Sequence, residues 1–110
     1  MENIFQSFDN IPTKSIAPGY DAKLIHTATN TLNFLDVKAG SSIGTHSHHH
    51  EQLAFVFEGK FELTVNGEAR ILEHGIFAII PPNVEHSGIA VTDCKLLDVF
   101  SPVREDFRAL

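Results

Sequence analysis

Tryptophan is absent from these 110 residues, and cysteine, tyrosine and methionine occur once each. A single thiol, Cys94, cannot close an internal disulfide, so no cross-linked scaffold is expected and a reducing, cytoplasmic setting fits. Its simplest role is that of a small buried hydrophobe. Basic residues are also scarce: eight Lys and Arg against fourteen Asp and Glu give a net charge of −6. Phosphate backbones are gripped by clustered cations, so no nucleic acid is expected as a partner. No apolar run approaches the roughly 20 residues of a membrane helix. The acidic opening, Met1-Glu2-Asn3-Ile4, has no apolar centre of the kind a signal peptide carries. No membrane partner is expected either.

What is present is a core. Apolar residues make up 43% of the chain, nine of them Phe, which suits one folded domain spanning residues 1–110. Helical periodicity is missing except for one turn's worth within 102–110. Short β-patterned runs separated by Gly, Pro and Asn turns take its place and predict an all-β sandwich or barrel. Residues 1–20, broken by Pro12 and Pro18-Gly19, form an N-terminal extended segment. Its apolar Ile4, Phe5, Phe8 and Ile11 are expected to cover the barrel or a second subunit, and a homodimer follows from them. Residues 22–28 and 32–38 are expected strands around a turn at Asn30. Phe61, Leu63 and Val65 alternate with polar residues, and Asn66-Gly67 then supplies a two-residue hairpin turn. Glu73-His74-Gly75 forms the next turn. Ile76 to Ile80 is continuously apolar, which predicts a strand buried on both faces. In the last strand Leu96, Asp98 and Phe100 share one face, and Leu97 and Val99 the other.

Seven histidines are present, and four of them lie between His46 and His50. Strand side chains alternate faces, so His46, His48 and Gln52 point the same way. His86 follows the Ile76–Ile80 run and Pro81-Pro82-Asn83. Two imidazoles on one strand face, a carboxamide beyond them and a third imidazole from another strand form a candidate site for one divalent metal. Glu51 competes with Gln52 as the fourth ligand. Its parity turns it away, although a bulge would reverse that choice. His49, His50 and His74 do not fit the ligand spacing and are expected in loops or turns. Three neutral imidazoles and an amide leave the ion its full charge, which favours an anionic substrate. These donors do not choose between Zn, Ni, Fe and Mn.

The frame from Gly40 through His46, His48 and Gln52 to Gly59, and that from Gly75 through Pro81 to His86, resemble the two-part signature of the cupin family of small β-barrels. Gln52 stands where glutamate is usual; Asn83 and Ala90 replace glycine and asparagine. The core motifs thus lie within residues 40–104, and a jelly-roll barrel is the expected fold. His-x-His-x3-Gln followed by Asp98-Val99-Phe100-Ser101-Pro102-Val103-Arg104-Glu105-Asp106-Phe107 resembles the small cupins of the pectin-degradation protein KdgF family. That resemblance implies metal ligands His46, His48, Gln52 and His86 and functional residues Asp98, Phe100 and Arg104. It further implies opening of the ring of 4,5-unsaturated monouronates, sugar acids from pectin and alginate breakdown, to linear 4-deoxy-5-keto uronates. In that chemistry Asp98 serves as general acid and base, Arg104 as a fork for the carboxylate, and Phe100 as a wall that orients the ring. Two other functions compete: an oxygen-activating cupin dioxygenase and a non-catalytic sugar-binding cupin. The Asp98–Arg104 pair favours ring opening, and no effector segment accompanies the domain to suggest a sensor.

Overall fold

The computed structural model describes residues 3–110 and is almost entirely β. Its strands are β1 (Lys14–Ala17), β2 (Tyr20–His26), β3 (Thr31–Val37), β4 (Ser42–His46), β5 (Glu51–Glu58), β6 (Phe61–Val65), β7 (Glu68–Leu72), β8 (Phe77–Ile80), β9 (His86–Ala90) and β10 (Cys94–Ser101). A 3-10 turn at Phe8–Asn10 precedes them, and a single helical turn, α1 (Glu105–Arg108), follows. Two antiparallel sheets result, ordered β1-β2-β3-β10-β5-β8 and β4-β9-β6-β7. No helix among the described residues is long and apolar enough to cross a membrane.

The alternation expected from the sequence sets which side chains face inward. Tyr20, Ala22, Leu35, Val37, Ala54, Val56, Ile80 and Leu96 from the first sheet meet Phe61, Leu63, Leu72 and Ala90 from the second, and all are buried. The Asn66-Gly67 turn has positive φ at both residues, 49° and 82°, as a type I′ hairpin demands. It places Phe61 opposite Leu72 and Val65 opposite Glu68. Gly88 is needed for space: a Cβ there would run into the Phe61 ring. Cys94 is buried and unpaired, its thiol donating to the Lys60 carbonyl.

Two expectations need correction. The Ile76–Ile80 segment is not buried on both faces. It supplies β8, the edge of the six-stranded sheet, where only Ile80 is fully enclosed and Phe77 and Ile79 are 56% and 58% exposed. Nor do Ile4 and Phe5 cover the sandwich, since both lie open to solvent. Only Phe8 of that group makes an aromatic contact, edge-on to Phe34 with ring centroids 5.1 Å apart.

Candidate metal centre and cavity

Beginning with the backbone, β4 and β9 are antiparallel neighbours, and their register sets His46 opposite His86. His48 lies in the loop between β4 and β5. That loop is tied to the β8–β9 loop by the Asn83 amide, which donates to the His48 carbonyl at 2.7 Å. Asn83 adopts the left-handed conformation, φ 66°, that asparagine tolerates. The ring nitrogens of His46, His48 and His86 consequently lie within 4.8 Å of one another.

Each of these imidazoles is held the same way. Nδ1 of His46 hydrogen-bonds the Gly44 carbonyl at 2.9 Å, that of His48 the His50 carbonyl at 3.0 Å, and that of His86 the Val84 carbonyl at 2.9 Å. A carbonyl only accepts, so every Nδ1 carries the proton and every Nε2 presents a lone pair. His86 Nε2 is buried and without a partner. Such an orphan is costly unless a cation or donor meets it. Gln52 is inward and buried, and its Oε1 lies 3.2 Å from His48 Nε2. Two acceptors facing each other invite a cation. Burial, with the Arg104 cation adding to it, lowers the pKa of His48 and His86 and favours the neutral, ligating form. This donor set fits a divalent metal, with backbone carbonyls orienting the rings. Glu51 is exposed, and no bulge turns it inward.

Asp98 lines the same cavity, on β10 between β3 and β5. Gln52 hydrogen-bonds its carboxylate, and with the amide group used as donor there, Oε1 is left turned toward His48. Burial pushes the Asp98 carboxyl up to about 6, against the opposing pull of the Gln52 hydrogen bond and the Arg104 cation. Phe100 is buried with its ring centroid 5.5 Å from that of His48. Arg104 lies over Phe100 and Phe107, its guanidinium carbon 4.7 and 3.9 Å from their ring centroids. The expected open fork is in fact engaged: Arg104 donates from Nε and Nη2 to the two Asp106 oxygens at 2.9 and 2.7 Å. The remaining edge, Nη1, is free of that pairing.

The cavity measures about 280 Å³ and reaches from the histidines into the sandwich, past Asn33, Tyr20 and Leu35. That is the low end for small-molecule sites. Of the residues set aside in the sequence, His49 and His74 are exposed. His50 is buried instead, 6.4 Å from Phe100 between ring centroids, and hydrogen-bonds the Val103 backbone. Asn33 has no role in the sequence reading, and Asp106 and Phe107 enter it only as members of the C-terminal motif. Asn33 had a signal, since a polar residue shares the inward parity of Thr31 and Leu35.

A sandwich of two antiparallel sheets with a histidine cluster at one end of its interior defines a class, and the chain belongs to the cupin family: the cupin domain model matches residues 33–100. Within that class it is 33% identical to the pectin degradation protein KdgF of Dickeya dadantii (strain 3937) over 102 residues, 90% of this chain and 93% of that protein. Among solved structures, an RmlC-like cupin from Shewanella frigidimarina NCIMB 400 superposes with a TM-score of 0.89 at 28% identity, over 96% of both chains. KdgF from Halomonas sp. superposes at 0.84 with 29% identity, over 90% of this chain and 94% of the other.

Proposed function

We propose that this protein is a cytoplasmic, metal-dependent enzyme that opens the ring of 4,5-unsaturated monouronates. The observation that carries this is the meeting of Asp98, Arg104 and Phe100 with the histidine cluster in one cavity. Its similarity to two KdgF proteins, one described as a pectin degradation protein, supports the substrate class. His46, His48, Gln52 and His86 would hold one divalent ion, Zn, Ni, Fe or Mn. When bound, it supplies positive charge to an oxygen that gains negative charge.

The chain's own residues do the rest. The free edge of Arg104 draws in the sugar carboxylate, and Phe100 bounds the ring. Asp98 takes the proton of the anomeric hydroxyl as a carbonyl forms there and the bond to the ring oxygen breaks. A proton is then delivered to C4, leaving a 5-keto group, so substrate and product are isomers. A cavity of this size suits a monosaccharide. The test is metal analysis of protein purified without nickel resin, followed by incubation with lyase-generated unsaturated uronates. Loss of their ultraviolet absorbance only with the metalated protein is expected. Absorbance that persists at full metal occupancy refutes the activity and leaves a sugar-binding cupin.

The same reading includes a homodimer formed on the outer face of the six-stranded sheet. Outward-pointing Leu53, Phe55 and Phe57 of β5 lie beside Phe77 and Ile79 of β8 and Leu97 and Val99 of β10. Phe55 and Phe77 stack at 5.5 Å. A second copy is the occupant this apolar face fits.

A further inference from the structure

Asn33 occupies the centre of β3 with its side chain inside the sandwich, 1% exposed. Its inward neighbours along the strand are Thr31 and Leu35, both buried. Across the β3–β10 register it stands directly opposite Asp98. The carboxamide lines the cavity, yet its Oδ1 is buried without a hydrogen-bond partner. Thr31 and Tyr20, by contrast, are satisfied. Thr31 Oγ1 accepts from the Arg104 amide at 2.9 Å, and the Tyr20 hydroxyl donates to the Ser41 carbonyl at 3.0 Å.

An apolar residue at this position would remove that deficit. Leucine has the same branched shape, its extra bulk can be taken up by the cavity beside it, and it matches Leu35 and leaves nothing unpaired. Leaving a buried amide oxygen without a donor costs stability, and such a group at a cavity wall points to a functional use. Rotation about the terminal torsion of asparagine is soft, so either its oxygen or its nitrogen can turn to the cavity.

We propose that Asn33 is a substrate-binding residue whose carboxamide hydrogen-bonds a hydroxyl of the sugar ring, on the side of the cavity shared with Asp98. This rests on the uronate function proposed above and deepens it. The ligand presents a ring hydroxyl to β3 while its carboxylate lies toward Arg104. A deoxygenated ring at that position leaves the amide unpaired and is rejected.

The decisive variant is Asn33→Leu, compared with wild type for thermal midpoint, metal content and steady-state kinetics on the unsaturated uronate. Expected are an equal or higher midpoint, unchanged metal content and a fall in kcat/KM of roughly tenfold, carried mainly by KM. Asn33→Gln, which keeps the amide but is longer, reports whether position matters as well as chemistry; kcat/KM intermediate between wild type and Asn33→Leu is expected. An Asn33→Leu protein with wild-type kcat/KM overturns the binding role and leaves the uronate function standing. A lowered midpoint with lost metal makes Asn33 a structural residue and equally overturns it. Wild-type protein inert toward the uronate overturns the function itself, and the assignment of Asn33 with it.

Discussion

Asp98 does two things that a single substitution separates. Its carboxylate accepts a hydrogen bond from Gln52, and it lines the cavity with a carboxyl pushed up to about 6. Asp98→Asn retains an oxygen that can accept from Gln52 but cannot exchange a proton. Turnover is expected to fall about 10²- to 10⁴-fold while metal content, measured by elemental analysis, stays at the wild-type level. Wild-type rates in that protein would remove the acid–base role. Arg104→Lys keeps the charge but loses the plane that lies over Phe100 and Phe107. It should raise KM for a carboxylate substrate about tenfold with a smaller effect on kcat; equal losses on a substrate lacking the carboxylate would remove the clamp. At this scale much of the site was legible in the sequence. The motif spacing names His46, His48, Gln52 and His86. The chain nevertheless leaves the strand between β4 and β5, so His48 sits in a loop rather than on one strand face with His46 as expected. Parity on β10 groups Asp98 with buried Leu96 and Phe100. The pairing of Arg104 with Asp106 was not legible. Two residues apart in an irregular segment, their contact depends on how the chain turns into α1.

That turn gives α1 its purpose at the scale of elements. Its four residues bury nothing fully, and its N-cap, Arg104, makes no side-chain capping bond. What it does is present Asp106 and Phe107 to the guanidinium, whose side chain is only 12% exposed. The Arg104 hydrogen bond holds the Asp106 carboxyl down at about 2. A pKa lowered by folding stabilises the protein above the unfolded value of about 3.9, and that contribution disappears as pH falls through the folded value. Asp106 is itself largely exposed, so the contribution is modest, about 1 kcal/mol or less. Asp106→Ala should therefore be slightly less stable than wild type at pH 7 in denaturant titrations. The difference should shrink between about pH 4 and pH 2. Freed from its partner, Arg104 should also bind the substrate carboxylate less well, seen as a KM raised about threefold. A lower KM would mean that Asp106 competes with the substrate for the fork. Element boundaries elsewhere were readable because local chemistry fixes them, as at Asn66-Gly67. The environment of β8 was not, because an apolar run of this length says nothing about what covers it.

On the scale of the whole molecule, the cover for β8 is not found among the described residues of the chain. The two outer faces differ: the four-stranded sheet shows Ser42, Glu62 and Thr64 outward with Ile71 and Ile89 among them, whereas the six-stranded sheet carries the larger cluster of Phe and Leu residues named above. Phe57 is 48% exposed, and Phe77 and Ile79 more so. Six strands about 4.8 Å apart span roughly 25 Å. β5 and β10, eight residues each, span about the same at roughly 3.3 Å per residue. In the proposed dimer a twofold axis through this face would let one apolar patch meet itself and close the assembly at two copies. Ile4 and Phe5 would be part of the same contact in that dimer. They precede Phe8, which already lies against Phe34 on this face, and so can reach across to the second copy. Phe77→Glu combined with Ile79→Lys puts charge on the edge strand without touching an inward residue. Light scattering at micromolar concentration should show twice the chain mass for wild type and a monomer for the double variant. Metal content should be retained, since the four candidate ligands lie on the inner side. A monomeric wild type would remove the dimer and leave the apolar face to a different partner. A dimeric double variant would place the contact elsewhere, with Ile4 and Phe5 the next residues to change.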